Sequence, residues 1–300
     1  METISTTYRT TEEYENNCKK INELQSQITN LDAAIATESA RCEKANLEKT
    51  AGIRYAKRIQ SAAFPQKEIG NVFDDYFVFT KPHSIVTGDF CKAAETKNYK
   101  IIALADCSGH GVPGAFLTML GLSALKESLA KHYYDSNISL AAILDEMRAF
   151  VKSSLRSTDY NIDTINDGMN LTLCAFNNEE SGIRFASANQ NVYLFSNGQL
   201  TAYCGDRMPI GWSFKGDGQF TETLIPAHKG DLLYLTTDSL QSQFGGPGNV
   251  KFSTKRLTAM FEQIAPLPTE EQKNTVADIV DHWVEGHVQV DDLMVVGVRV

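Results

Sequence analysis

Residues 104–121 read LADCSGHGVPGAFLTMLG, and this stretch decides how the rest of the chain is interpreted. An apolar run ends in Asp106, and three glycines and a proline lead directly into an apolar segment. Glycine permits positive φ and close backbone approach, while Pro113 suits the first turn of a helix. The pattern predicts a strand, a glycine-rich turn and a helix. By itself it fits an ordinary strand-to-helix loop as well as a ligand-binding one.

Four more aspartates lie where apolar runs begin or end: Asp89, Asp238, Asp291 and Asp292. An isolated aspartate beside a strand is more often a turn former or a helix cap than a ligand. Strand ends, however, meet at the rim of a sheet, so these carboxylates converge if their strands are neighbours. Carboxylates at close range raise one another's pKa, and hard divalent cations such as Mg²⁺ or Mn²⁺ relieve that repulsion. Two such ions activate a water for attack on a phosphoryl group.

Short apolar runs separated by Gly, Asn and Asp predict an α+β domain with antiparallel strands. The expected strands are 77–80, 100–105, 171–176, 183–188, 192–195, 231–236 and 293–300. Apolar stripes predict helices around 140–151 and 276–283, the second after a Thr269 to Gln272 capping box, and a third from Pro113. The expected fold is a sandwich of two sheets flanked by helices.

Residues 11–63 contain one glycine and no proline, and their apolar residues follow a heptad spacing. The seam consists of Ile21, Leu24, Ile28, Leu31 and Ile35. Such a helix either dimerises as a coiled coil or packs on its own domain, and the sequence leaves both open. Pro65 is expected to end it. We therefore divide the chain into a helical segment, 1–63, and a globular domain, 64–300.

Composition excludes several classes of protein. A net charge of −9 argues against nucleic-acid binding, which depends on Lys and Arg. No apolar run is long enough to span a membrane, and the first twenty residues lack the apolar core of a secretory signal. Six scattered cysteines without a CxxC pair predict free thiols in a reducing compartment. We expect a cytoplasmic protein.

Eight segments, taken in order, resemble the PPM-type metal-dependent serine/threonine phosphatases, in the branch typified by SpoIIE and RsbU. They are AKRIQSAAFP (56–65), KPHSIVTGDF (81–90), LADCSGHGVPGAFLTMLG (104–121), NDGMNLTLCAF (166–176), ANQNVYLFSNGQL (188–200), GDRMPIG (205–211), GDLLYLTTDSLQSQFGG (230–246) and VQVDDLMVVGV (288–298). The resemblance implies a four-layer α-β-β-α sandwich that hydrolyses phosphoserine or phosphothreonine on a protein with two Mn²⁺ or Mg²⁺ ions.

The resemblance also implies a role for each matching residue. Asp106 matches the ligand that bridges both ions, with the Cys107 carbonyl as a further ligand. Asp238 and Asp291 match the acids that complete the second ion site, and Gly88 with Asp89 matches the position that holds metal-bound water.

A second layer of residues is expected around these ligands: Asp292, His110, Asp167 and Ser239. His110 is expected to be a buried structural imidazole and not a general acid. The sequence departs from the family pattern at Ser239, where glycine is usual, and at Ser242 and Asn170, where aspartate is usual or frequent. Ser239 requires a backbone that keeps φ negative or tolerates modest strain.

Three functional hypotheses follow. The first is an active phosphatase whose substrate is a phosphorylated STAS-domain antagonist in a partner-switching pathway. The second is a phosphatase-like binding module with weak or no turnover, motivated by Ser239, Ser242 and Asn170. The third makes the N-terminal helix the input element: it forms a homodimer and acts on the metal site through the regulatory helix 56–63, which contains Ile59 and Gln60.

Overall fold

The computed structural model describes residues 2–155, 167–177, 182–213 and 218–300, with side chains from Glu13 on except that of Gln66. The chain divides into two compact units, Met1–Tyr55 and Ala56–Val300. In the described part of the chain, no helix combines the length and the apolar character needed to cross a membrane.

Helix α1 spans Glu2–Ala63, as its composition predicts, and it ends two residues before Pro65. Proline fixes φ and lacks an N–H group, so it cannot continue the helix; here it begins a 3-10 helix, Gln66–Asn71. The heptad residues Ile21, Leu24, Ile28, Leu31 and Ile35 are 45–63% exposed in the single chain.

Two antiparallel sheets form the centre of the second unit. The first sheet has the order β1-β13-β10-β6-β7, with β1 (Tyr76–Lys81), β6 (Asn191–Ser196), β7 (Gln199–Cys204), β10 (Leu232–Thr236) and β13 (Leu293–Arg299). The second has the order β2-β3-β4-β5-β9, with β2 (Asp89–Glu95), β3 (Lys100–Cys107), β4 (Gly168–Phe176), β5 (Ile183–Ala188) and β9 (Thr223–Ile225). Strand β8 (Ile210–Gly211) pairs with β4, and β11 (Phe244–Gly245) pairs with β12 (Val250–Lys251).

Helices cover the outer faces of both sheets. Helices α2 (Gly111–Lys131) and α3 (Leu140–Ser154) pack on the second sheet, and α5 (Ser253–Ile264) and α6 (Thr269–Val284) pack on the first. The short helix α4 spans Ser239–Ser242. A third apolar cluster, which includes Leu104 and Val296, fills the space between the sheets. The domain is therefore the expected α-β-β-α sandwich.

The sequence predicted seven strands, and each of them is present. It missed β2 and β7, which lack a run of β-branched residues, the two- and three-residue strands β8, β9, β11 and β12, and helices α4 and α5. A hairpin turn predicted at 177–182, between the strands 171–176 and 183–188, lies partly outside the described residues. The predicted capping box at the start of α6 is wrong: the Thr269 hydroxyl donates to the carboxylate of Asp75, and the Gln272 side chain donates to the Leu267 carbonyl at 2.8 Å.

Truncating a side chain of the inter-sheet cluster tests this packing. Leu104 is fully buried between the sheets, so Leu104→Ala should lower the free energy of unfolding by about 2–5 kcal/mol. Leu224 is 55% exposed, so Leu224→Ala should change it by less than about 0.5 kcal/mol. Urea denaturation followed by circular dichroism measures both values; equal losses would contradict the assignment of the core.

Candidate functional site

Two aspartates face each other at one end of the second sheet. Asp89 begins β2, Asp106 lies near the end of β3, and the two residues pair directly across these antiparallel strands. Side chains alternate along a strand, and Cys91 and Leu104 both belong to the cluster between the sheets. Asp89 and Asp106 are therefore directed to the same inter-sheet space, at its rim.

The first sheet supplies the opposing acids. Asp238 follows β10, while Asp291 and Asp292 precede β13. The two strands run antiparallel, and the Thr237 amide donates to the Met294 carbonyl at 3.2 Å, so the end of one strand lies beside the start of the other. The pairing brings Asp238 close to the two acids at the start of β13.

Electrostatics confirms that the carboxylates of both sheets form one group. Burial, followed by the charges of Asp106, Asp292 and Asp291, raises the pKa of Asp89 well above its ordinary value. Burial, followed by the charges of Asp238 and Asp291 and by a hydrogen bond with Asp238, raises the pKa of Asp106 to about 8. Asp106 therefore keeps a proton at neutral pH.

Asp238 is exposed as a residue, but its carboxyl group reaches the cluster. Partial burial is the largest effect and raises its pKa; the hydrogen bond that Asp106 donates opposes this rise, and the charge of Asp291 adds to it. The Asp106–Asp238 pair thus shares one proton between two like-charged groups, an arrangement that a cation can replace.

Asp292 holds the loop before β2 in place. Its side chain is buried, and its two oxygens accept hydrogen bonds of 2.7 Å from the backbone amides of His83 and Gly88. This pair of charge-assisted bonds joins the start of β13 to the residue that precedes Asp89. It fixes the first sheet relative to the second at the rim where the acids meet.

Gly88 is required by close backbone packing. A Cβ atom there would lie 2.8 Å from the Gly109 carbonyl oxygen and 3.3 Å from that of Cys107. The buried Thr118 hydroxyl of α2 donates to the Gly88 carbonyl at 3.0 Å, and the Cys107 amide bonds the same oxygen at 3.2 Å. The Cys107 carbonyl is therefore held beside Gly88, close to the carboxylates.

The glycine-rich turn differs from expectation at His110. Gly109 and Gly111 adopt positive φ of 78° and 67°, as a tight turn into α2 requires. His110 precedes α2 and is exposed, so the prediction of a buried structural imidazole is wrong. Its ring packs against that of His83, with centroids 4.1 Å apart, on the outside of the turn.

The three departures from the family pattern fit without strain. Ser239 is buried in the first turn of α4 and is absent from the described non-glycine residues with positive φ, so serine fits where glycine is usual. Ser242 is exposed at the end of that turn. Asn170 pairs with Asp106 across β3 and β4 and accepts a 3.0 Å hydrogen bond from the Asn189 side chain. Asp167 is exposed just before β4.

Two glutamines support the site from behind. Buried Gln243 accepts from the Val290 amide at 3.1 Å and donates to the Val288 carbonyl at 2.9 Å, so it ties the segment after Asp238 to the segment before Asp291. Gln243 was not predicted from the sequence, because nothing in its local sequence distinguishes it from an exposed glutamine.

Gln60 supports Asp89 from the end of α1. It is 3% exposed; its amide donates to the Thr87 carbonyl at 2.6 Å, and its oxygen accepts from the Thr87 amide at 3.1 Å. Thr87 in turn holds Asp89, because its hydroxyl accepts a hydrogen bond from the Asp89 amide at 3.0 Å. Ile59, the neighbouring residue of the regulatory helix, is 51% exposed.

The donor set suits hard divalent cations. Asp89 Oδ2 is buried and is one of the described side-chain atoms without a hydrogen-bond partner, and it faces a group of carboxylates with raised pKa. No three His, Cys, Asp or Glu side chains among the described residues already have the geometry of a metal site. Asp106 and Asp238 hydrogen-bond each other, and a bound cation would take the place of the proton between them.

Comparison with known proteins relates this site to established folds. The family model "Stage II sporulation protein E (SpoIIE)" matches residues 96–300. The SiaA-PP2C domain of Pseudomonas aeruginosa is similar in structure, with a TM-score of 0.76, 28% identity and coverage of 85% of this chain and 98% of that one. A search of curated proteins found no match.

Two more distant solved structures share the fold. The PP2C phosphatase domain of SpoIIE from Bacillus subtilis, solved with a fragment of its regulatory domain, has a TM-score of 0.59 and 19% identity, covering 75% of this chain and 63% of that one. The RsbU and RsbW domains of Rv1364c from Mycobacterium tuberculosis give 0.57 and 15%, covering 75% and 59%.

The raised pKa of Asp106 predicts how metal-free stability depends on pH. The folded state holds this proton up to about pH 8, whereas an unfolded aspartate loses it near its ordinary value of 3.8. The folded state thus binds more protons between these values, so this contribution is complete below about pH 4 and is lost as pH rises through about 8. Asp106→Asn removes the loss, because its amide is neutral and can still donate to Asp238.

Thermal denaturation in a chelator measures the effect. We expect Asp106→Asn to match the wild-type Tm near pH 4 and to exceed it by at least about 2–4 °C at pH 8, the shift produced by about 1 kcal/mol in a domain of this size. A difference in Tm that stays constant across this range would contradict the proton shared by Asp106 and Asp238.

Proposed function

This chain belongs to the SpoIIE family of PPM-type protein phosphatases, and we propose that it hydrolyses phosphoserine or phosphothreonine on a protein with two divalent ions, Mn²⁺ or Mg²⁺. The observation that carries the proposal is the convergence of acids from both sheets, with Asp106 kept protonated by its neighbours. Such a cluster has the charge and the oxygen ligands to bind hard cations.

In this proposal each residue has a defined task. Asp106, the Cys107 carbonyl, Asp238 and Asp291 would hold the ions. Asp89 and the Gly88 backbone, which lie on the opposite sheet, would orient the attacking water. Asp89 Oδ2 has no hydrogen-bond partner in the described chain, so it could accept a hydrogen bond from that water. Bound ions would lower the pKa of a water and neutralise charge on the phosphoryl group. No side-chain nucleophile is required.

The surrounding residues keep these groups in place. Asp292 holds the Gly88 amide, Gln243 holds the two segments that carry Asp238 and Asp291, and Ser239 forms the turn behind Asp238. Preorganised ligands reduce the reorganisation needed when substrate binds. Asp167 and His110 lie exposed outside this arrangement, and we propose no direct contact with the ions for either residue.

The proposed substrate is a small phosphorylated STAS-domain antagonist of a partner-switching pathway. This step rests on the ordered motifs that the chain shares with the SpoIIE and RsbU branch. A cytoplasmic location belongs to the same proposal, and the free state of all six cysteines fits it.

The alternative is a phosphatase-like module that binds a partner with weak or no turnover. Ser239, Ser242 and Asn170 motivate it, because they replace residues of the usual outer shell. Ser239 lies in an unstrained helical turn, and the acids remain together, which favours the active enzyme. Measurement of turnover separates the two functions.

A phosphate-release assay with a phosphoprotein substrate and Mn²⁺ tests the enzyme. Loss of a ligand should lower kcat by about 10²-fold or more in Asp106→Asn and Asp238→Asn, because each removes a charge that holds an ion. Asp278→Asn, an exposed aspartate of α6, is the matched control and should retain the wild-type rate.

Calorimetric titration with Mn²⁺ provides a readout independent of turnover. Wild type and Asp278→Asn should bind the ion, and Asp106→Asn should bind it at least about tenfold more weakly. Wild-type protein that binds Mn²⁺ but releases no phosphate would support the binding module. Equal phosphate release by wild type and an Asp106→Asn, Asp238→Asn double variant would refute the enzyme.

We further propose that residues 1–63 form a regulatory segment that dimerises through its heptad seam. The five apolar residues of the seam are exposed in the single chain, and a parallel partner helix would bury them. The regulatory helix 56–63 contacts the metal-site loop through the hydrogen bonds of Gln60 with Thr87. The boundary at 63/64 between this segment and the phosphatase domain is part of the proposal.

Deletion of residues 1–50 tests this role. The shortened chain keeps Gln60 but loses the seam, so it should elute as a monomer where the full chain elutes as a dimer, with phosphatase activity changed at least about threefold in the same preparation. Light scattering coupled to gel filtration gives the mass. A shortened chain that remains dimeric and equally active would contradict both the proposed dimerisation and the proposed regulation by the helix.

A further inference from the structure

A row of polar side chains runs across the second sheet from the metal ligands. Asp89 pairs with Asp106, and Asp106 pairs with Asn170. The Asn189 side chain then donates to Asn170 Oδ1 at 3.0 Å. Directly paired residues of antiparallel strands lie on the same face of the sheet, so the row extends from two acids to two neutral amides at one rim.

The row ends in a small groove. The groove has a volume of about 260 Å³ and is lined by Asn189, Asn191, Cys204, Gly205 and Arg207. Neighbouring strands lie about 4.8 Å apart, which places Asn189 about 10 Å from Asp106 along the row. The groove is therefore a neighbour of the proposed phosphoryl site and not part of it.

The backbone that carries Arg207 is held rigidly. A Cβ atom on Gly205 would lie 2.6 Å from the Gln190 carbonyl oxygen, so only glycine allows this approach. The Asn189 amide donates to the Asp206 carbonyl at 2.7 Å, and the Asp206 carboxylate accepts from the Thr221 amide at 2.7 Å. The carboxylate of Asp206, the residue next to Arg207, is thus hydrogen-bonded to Thr221.

Arg207 itself is exposed and makes no hydrogen bond or ion pair with the rest of the described chain. It also supplies the only full positive charge among the residues that line the groove. Guanidinium binds carboxylate through two parallel hydrogen bonds, and the flanking asparagine amides can pair with a peptide backbone. The groove is complementary to one acidic side chain on an extended peptide.

We propose that this groove binds an acidic residue of the phosphoprotein substrate, close in sequence to the phosphorylated residue, and that Arg207 sets this specificity. The proposal rests on the proposed phosphatase function. An extended chain advances about 3.3 Å per residue, so a span of about 10 Å corresponds to about three residues. The acidic residue should lie about two to four positions from the phosphoserine.

Synthetic phosphopeptides test the groove directly. A series carries one glutamate at successive positions on either side of the phosphoserine, and each peptide has a glutamine counterpart. At the favoured position, wild type should show about tenfold higher kcat/KM for glutamate than for glutamine. In Arg207→Ala this ratio should fall to about one. Arg207→Lys keeps the positive charge but loses the two parallel N–H donors of the guanidinium, so its ratio should lie between those of wild type and Arg207→Ala.

Charge reversal separates recognition from a structural role. Arg207→Glu should prefer a peptide with lysine at that position over one with glutamate, which a merely misfolded variant would not do. Lys229→Ala, an exposed cation that lines a different cavity, is the matched control and should keep the wild-type ratio. A wild-type ratio of about one at every position, or a ratio unchanged in Arg207→Ala, would overturn the proposal.

A binding measurement separates this inference from the proposed function. If wild type hydrolyses none of the peptides, the phosphatase fails, and fluorescence anisotropy of labelled peptides still tests the groove. Binding should then be about tenfold tighter for the glutamate peptide in wild type and equal for both peptides in Arg207→Ala. Equal binding of both peptides by wild type overturns the groove, whatever the outcome for turnover.

Discussion

Repulsion between carboxylates held at the rim of two facing sheets is the constraint on which the rest of this structure depends. Asp89 and Asp106 come from one sheet, and Asp238 and Asp291 flank neighbouring strands of the other. Packing the sheets together brings the four acids to one rim, where burial of Asp106 and the charges of its neighbours raise its pKa to about 8. The fold therefore assembles at this rim a group of acids whose mutual repulsion a bound proton or cation relieves.

Much of this arrangement was predictable from sequence, because strand ends must lie at a sheet rim. Apolar runs located the seven strands, and the acids at their ends indicated one site without any knowledge of strand order. Local patterns failed where a distant partner decides the conformation. Thr269 has the spacing of a capping residue but bonds Asp75, and His110 was expected inside yet packs on His83 outside the turn.

The burial of the residues that support the site was the least predictable feature, although Gln60 itself was expected in the regulatory helix. Gln60 and Gln243 are buried only because backbone from distant parts of the chain satisfies their amides. A glutamine in a sequence carries no mark of such burial, since glutamine is mostly exposed in proteins. Strand β2 was missed for a related reason: its outer residues meet α2 and the 3-10 helix, and that contact substitutes for β propensity.

The departure at Asn170 acquires a physical meaning from the pairing of the strands. An aspartate there would stand beside Asp106 and add a further like charge to a group already partly protonated. Asparagine keeps the side chain's shape, removes that charge and bonds Asn189. Along one rim the side chains thus pass from acidic through neutral to basic at Arg207, so the proposed metal ligands and the proposed peptide groove share an edge without their charges cancelling.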